Sequence, residues 1–378
     1  MAVDAAPRGA ACHATIVLPK TNNFDLIRLA AAMQVALIHA VADLGVGAPN
    51  WHLRAIADWF PGVPIFFFIS GFLISKSFEK NSVLREYAQN RFLRIYPGLA
   101  VCFLVSLASV WLTGYFARIS VAPAAMLLWA GAQLSVGQFY NPEFMRHYGL
   151  GVLNGSTWTI TVELQFYVLV PLMYGVLRWR GLSRRRFNLT LAGLILGFMI
   201  VNQEYMHAAA FHSRPLWYKL AGVSFAPWFY MFLVGVLFQR NFDVIQRWLA
   251  GRFVPVFVAY CALALLASQV LGWGFGNSLN PVLFVGLSTV TFAAAFSANT
   301  LSDRLLRRND ISYGVYIYHG PVINFLLATG LGAAWMGLPL AVVATTGLAY
   351  VSWREVEKPA LTLKRHPLYQ HRAARLAS

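Results

Sequence analysis

Apolar runs of roughly 18 to 22 residues recur along this 378-residue chain, each bounded by short polar or basic stretches. A run of that length is what a helix needs to cross about 30 Å of hydrocarbon. Inside lipid a backbone must satisfy its own polar groups, so spanning segments of this length are helices. Composition agrees: 12% of the residues are charged, against about 25% in soluble domains. The expected fold is an all-α membrane protein, a polytopic bundle of about ten transmembrane helices. The runs lie near 24–45, 59–78, 94–115, 157–178, 187–203, 222–240, 253–272, 281–300, 311–331 and 336–354.

Charge orients the bundle. With the N-terminus inside, 25 of the 30 basic residues fall on the inner side, and Arg54, Arg118, Arg146, Arg214 and Lys219 fall outside. The positive-inside rule therefore puts both termini in the cytoplasm. The segment 121–136, "VAPAAMLLWAGAQLSV", is apolar enough to span, yet counting it would turn "RWRGLSRRR" outward. It reads as a re-entrant or interfacial piece. The expected organisation is a cytoplasmic segment over 1–22, a transmembrane domain over 23–358 and a cytoplasmic tail over 359–378.

The same arrangement accounts for the net charge of +16, so membrane lipid is the expected surroundings and no nucleic-acid partner is called for. Cys12, Cys102 and Cys261 have neither metal nor redox spacing, and no metal is expected. Residues 1–22 lack an apolar core long enough for a cleavable signal.

Polar residues within the apolar runs point to chemistry, because intramembrane ionisable groups are costly and usually functional. Arg28 and His39 are 11 residues apart, hence about 20° apart around a helix and about 16 Å along it. They share one face. Arg28 lies close enough to the cytoplasmic interface to snorkel. His39, about 22 Å from Phe24, lies past the midplane and has no such escape. It is either a buried hydrogen-bonder or a working group. Glu163 enters from the outer face and lies about 21 Å from the inner one, close to the depth of His39. A carboxylate there could orient the imidazole and stabilise its protonated form, as a general base requires. A structural ion pair or a protonated buried acid is the plainer alternative.

Arg91 and Arg94, three residues apart at a helix entrance, share a face and could grip phosphates, or simply mark the inner end of the helix. His319, in "DISYGVYIYHGPV", could line the route to His39 or bond to neighbouring tyrosines. Ser70, beside Gly71 in "FISGFLIS", reads first as a small packing residue.

Taken in order, "NNFDLIRLAAAMQVALIH", "FFFISGFLIS", "RFLRIYP", "STWTITVELQFYVLVP", "SYGVYIYHGPV" and a terminal "VEKP" resemble the membrane acyltransferase 3 family of O-acyltransferases over about residues 22 to 360. The resemblance implies a multi-pass enzyme of the bacterial inner membrane. Such an enzyme takes an acyl group, commonly acetyl from acetyl-CoA, and delivers it to a hydroxyl of an extracytoplasmic glycan or lipid-linked saccharide. By that resemblance Arg28 and His39 match an essential pair, Arg91 and Arg94 paired arginines, and Asp25 the acidic position before Arg28. Glu163 and His319 match recurring polar positions. Some members carry a fused SGNH hydrolase-like domain; here a separate extracytoplasmic partner, a homo-oligomer or neither would serve.

The expected mechanism docks acyl-CoA at the cytoplasmic face on Arg91, Arg94 and Arg28 and threads its arm toward His39. His39, held by Glu163, removes the acceptor's proton, with Arg28 as an oxyanion stabiliser if it reaches. A covalent acyl intermediate on His39, Ser70 or another residue is the alternative route. The rival class is a secondary transporter or lipid flippase using Arg28, His39 and Glu163 as a relay.

Overall fold

Each of the ten expected segments holds a helix of 12 residues or more in the computed structural model, which describes residue 19 and residues 21–45, 51–176, 179–209, 215–333 and 336–363. Arg8, Cys12, Lys20, Arg178 and Arg214 lie outside the described residues, as do nearly all of 1–22 and the tail beyond 363. The helices are α1 Phe24–Asp43, α2 Trp51–Trp59, α3 Gly62–Lys80, α4 Leu84–Leu112, α5 Pro123–Gln133, α6 Trp158–Val176, α7 Arg184–Ala208 and α8 Leu216–Gly222. There follow α9 Phe229–Arg240, α10 Phe242–Leu249, α11 Phe253–Leu266, α12 Pro281–Ala295, α13 Leu301–Leu306, α14 Ser312–Thr329, α15 Gly337–Ser352 and α16 Lys358–Thr362. Among the described residues there is no strand. Six stretches, 24–43, 56–80, 84–112, 155–176, 184–208 and 253–271, are long and apolar enough to cross a membrane. The chain is a multi-pass membrane protein. Helix α5, within 121–136, has 11 residues, about 16 Å of rise, and is too short to span.

Small residues set the packing, as expected where lipid removes any hydrophobic drive between helices. Gly71 of α3 and Gly235 of α9 face each other's backbones. A Cβ on Gly71 would stand 1.9 Å from the Phe232 oxygen, and one on Gly235 would stand 2.1 Å from the Phe68 oxygen. Helices that close leave no room for any side chain between them. Phe68, Phe72, Phe238, Phe292 and Phe296 then fill the flanks in edge-to-face and tilted pairs.

Helix α1 is tied at both ends. The Asn23 amide donates to the Ser297 and Ala294 oxygens at 2.7 and 3.1 Å, and its oxygen accepts from the Ser302 N–H at 3.0 Å. Against α14, Arg28 meets Asp310 and, 11 residues on, His39 meets His319. Because both numbers rise together, α1 and α14 run parallel. Their two contacts lie about 16 Å apart along α1.

Candidate active site

The lower contact is built on a helix start. Asp310 stands two residues before Ser312, where its Oδ1 accepts from the Ser312 N–H at 3.3 Å and the Ser312 hydroxyl at 2.5 Å. This is helix-capping chemistry. Its Oδ2 accepts from Arg94 at 2.5 Å and pairs with Arg28 at 3.1 Å. Arg28 also reaches Asp25 at 3.4 Å. Burial opposes the charge on Asp310, but the Arg28 and Arg94 guanidiniums overcome it and hold the carboxyl far below the usual carboxylate range.

Arg91 is different. Its Nη2 donates to the Ser77 hydroxyl at 3.4 Å, and its guanidinium lies over the rings of Tyr87 and Tyr167 at 5.7 and 5.6 Å. Its buried Nε has no hydrogen-bond partner, and no carboxylate pairs with it among the described residues. The two arginines of "RFLR" thus divide: Arg94 is committed to Asp310, and Arg91 keeps its charge for something else.

Arg28, Arg91 and Arg94 line one end of a cavity of about 320 Å³, with Leu361 beside them. Ser70 and Glu163 stand in its middle. The Ser70 and Tyr167 hydroxyls donate to Glu163 Oε1 at 3.1 and 2.8 Å. Val63, Phe66, Thr159, Ile160 and Tyr316 line the far end. Along α3 the lining runs from Ile74 to Val63, about 16 Å of helix. The volume falls at the small end of the range for ligand sites, which suits a slim arm better than a whole nucleotide.

Beyond Tyr316 lie the imidazoles. The Tyr316 and Thr159 hydroxyls are 2.7 Å apart, and each reaches the Ser156 oxygen at 3.1 Å. The Tyr316 ring meets His319 edge-on at 5.9 Å. His319 Nδ1 lies 3.3 Å from the Val315 carbonyl oxygen. A carbonyl only accepts, so Nδ1 carries the proton and Nε2 is an acceptor. His39 Nδ1, 3.1 Å from that Nε2, must then donate to it. The second nitrogen of His39 keeps its lone pair, with no protein partner among the described residues. Ser156 Oγ lies 3.2 Å from the same His319 nitrogen and donates to Asn154 Oδ1 at 2.8 Å.

This corrects the expected grouping. His39 is held by His319, and Glu163 bonds to Ser70 and Tyr167 instead. Arg28 belongs to Asp310, about 16 Å down α1 from His39, out of reach of a carbonyl there. Gly71 does the packing, while Ser70 faces the cavity. Three residues escaped the sequence reading. Asp310 had a signal, an acid two positions before a serine at a helix start. Ser156 had none beyond its place in "NGSTWT". Glu357, in "VEKP", is buried with Oε1 on the Ser352 hydroxyl at 3.0 Å and Oε2 unpartnered. Burial, opposed by Arg94, pushes its carboxyl up to about 7. Among the described residues no group of three or more metal-ligating side chains gathers.

The profile of the acyltransferase 3 family, described as an acyltransferase domain, matches residues 21–354. Nodulation protein 10 of Rhizobium leguminosarum bv. viciae is 30% identical over 91% of this chain and 94% of its own length. The O-acetyl transferase of Shigella phage Sf6 is 27% identical over 91% of this chain and 97% of its own. Peptidoglycan O-acetyltransferase OatA of Listeria monocytogenes is 24% identical over 85% of this chain but only 54% of its own length. No solved structure matches.

Proposed function

The chain belongs to the acyltransferase 3 family, and from that premise we propose that it is an O-acetyltransferase of the bacterial inner membrane with His39 as general base. Its donor is cytoplasmic acetyl-CoA or another acyl-CoA. Its acceptor is a hydroxyl of a glycan or lipid-linked saccharide on the opposite side, in keeping with the names of its relatives. Ten segments, built on α1, α3, α4, α6, α7, α9, α11, α12, α14 and α15, span, the shorter α9 and α12 together with their flanking residues, and both termini are cytoplasmic, which is the arrangement the basic residues favour.

One observation carries this reading: on α1 and α14 a cationic cavity end and a buried base are stacked one above the other. Arg91, with no carboxylate of its own, takes a phosphate of the donor. Arg28 and Arg94 share Asp310, and Arg28 also pairs with Asp25, so among the described residues Arg91 is the guanidinium left uncompensated at that end. The donor's arm follows the cavity, where Glu163 can accept from its amide N–H groups. His39 lies past the rings that line the far end, and there its lone pair takes the acceptor's proton as the acceptor oxygen attacks the thioester carbonyl. The C–O bond forms, the C–S bond breaks, and the departing thiolate takes the proton from the imidazolium. His319 steadies that cation by accepting from its other nitrogen.

Membranes with and without the chain, given labelled acetyl-CoA, test this. Label should reach membrane glycan only with the chain present. His39→Ala should insert, keep its Tm in detergent and lose transfer; near-normal turnover there would remove His39 as the base.

A further inference from the structure

The donor cavity has unlike ends. Three guanidiniums mark one; the other has no charged side chain and is lined by Val63, Phe66, Ile160 and Tyr316. Phe66 and Tyr316 meet edge to face, with centroids 5.5 Å apart at 72°. Tyr316 is held in place through the Thr159 hydroxyl and the Ser156 oxygen, and its other edge touches His319. This wall is therefore aromatic and, through Tyr316, lies between the cavity and the imidazoles, so that a thioester bound for His39 passes along it. Any group riding at the tip of a donor arm must lie against it.

Resting on the acyl-CoA reading above, we propose that Phe66 and Tyr316 measure the acyl group, admitting acetyl and excluding longer chains. Phe66 supplies the bulk and Tyr316 the backing. An added methylene beside the paired rings needs them to move further apart, and side chains packed edge to face do not yield cheaply. A pocket of this kind discriminates by roughly 10- to 200-fold per methylene. Ser70 and Glu163 bond to each other rather than to either ring, so arm binding and acyl selection can be probed by different substitutions.

The test is direct binding of acetyl-CoA, butyryl-CoA and hexanoyl-CoA to the purified full chain in detergent. Wild type should prefer acetyl-CoA to hexanoyl-CoA by about tenfold or more, and Phe66→Ala should bring that ratio near one. Ile160→Ala, which widens the same end from α6, should move it in the same direction, so a failure of one variant to fold leaves the other to decide. Phe66→Leu, which keeps apolar bulk, should fall between. An equal preference in wild type, or a ratio that neither alanine variant moves, overturns the proposal while leaving acyl-CoA as donor. If no acyl-CoA binds wild type at all, the donor reading fails and the selection proposal with it.

Discussion

His39 Nδ1 stands 3.1 Å from His319 Nε2, and the backbone oxygen of Val315 decides which of the two rings donates. Histidine thus does here what a carboxylate does in many sites. It fixes a tautomer, but without itself placing a full negative charge beside the proposed base. A neutral partner suits a low-dielectric interior, where an unpaired charge would be costly once the base is unprotonated.

His319→Ala should therefore lower acetyl transfer by about 10²- to 10³-fold, within the range that general-base positioning supplies. The KM for acetyl-CoA should hardly move, because His319 is not part of the donor cavity. His319→Gln, whose side-chain oxygen can still accept from His39, should recover part of the loss. A purely structural histidine would show neither the split between rate and KM nor the rescue.

Glu163→Gln separates the carboxylate from the base. Glu163 accepts from Ser70 and Tyr167, so its replacement should raise the acetyl-CoA KM and leave the pH profile of turnover in place. A displaced profile would restore Glu163 as the group that tunes His39.

Arg91 and Arg94 should part company. Losing a charge-assisted contact of about 1.5 to 3 kcal/mol, Arg91→Ala should raise the donor KM by roughly tenfold or more with little change in Tm. Arg94→Ala leaves Asp310 buried with one guanidinium fewer, and breaking such a pair costs about 3 kcal/mol or more. Its Tm in detergent should fall clearly. Equal behaviour of the two variants in both measurements would contradict the division.

The helices were legible in the sequence because lipid imposes one length and one backbone solution on every span. Arg28, His39, Arg91 and Arg94 were legible because charge inside an apolar run stands out. Pairing was not. Depth counting put Glu163 level with His39, but depth says nothing about which way a helix faces, and α6 turns Glu163 toward Ser70 on α3. His319 was counted from its own helix start, and the stagger between α1 and α14, set by Arg28 on Asp310, brings it to His39. Asp310 and Glu357 lie at helix ends, where acids are ordinary and carry no mark of burial.

Gly71→Ala should be severe. The added methyl would overlap the Phe232 oxygen, a backbone atom that cannot rotate away, so α3 and α9 must separate. Overpacking of this kind costs about 1 to 3 kcal/mol or more. Folded yield in detergent should drop sharply, whereas Gly175→Ala, where a methyl meets nothing within 4 Å, should be tolerated. Equal yields would mean that the helix pair is looser than its backbone contact indicates.

Glu357 gives a pH dependence with a definite sign. Burial, opposed by Arg94, holds its carboxyl up at about 7, against about 4.3 for an ordinary glutamate. Between those values the folded protein keeps a proton that the unfolded chain gives up. Stability from this group is therefore complete below about pH 4.3 and is lost as pH rises through 7, on the order of 3 to 4 kcal/mol in all. Asp310 does not share the window, since its depressed carboxyl stays ionised throughout. Glu357→Gln removes the titration and keeps a side-chain oxygen for the Ser352 hydroxyl. Its Tm should exceed that of wild type near pH 8, and the difference should shrink toward pH 5. Tm curves that stay parallel from about pH 5 to pH 8 would show that the buried carboxyl is already ionised and that Arg94, not burial, governs it.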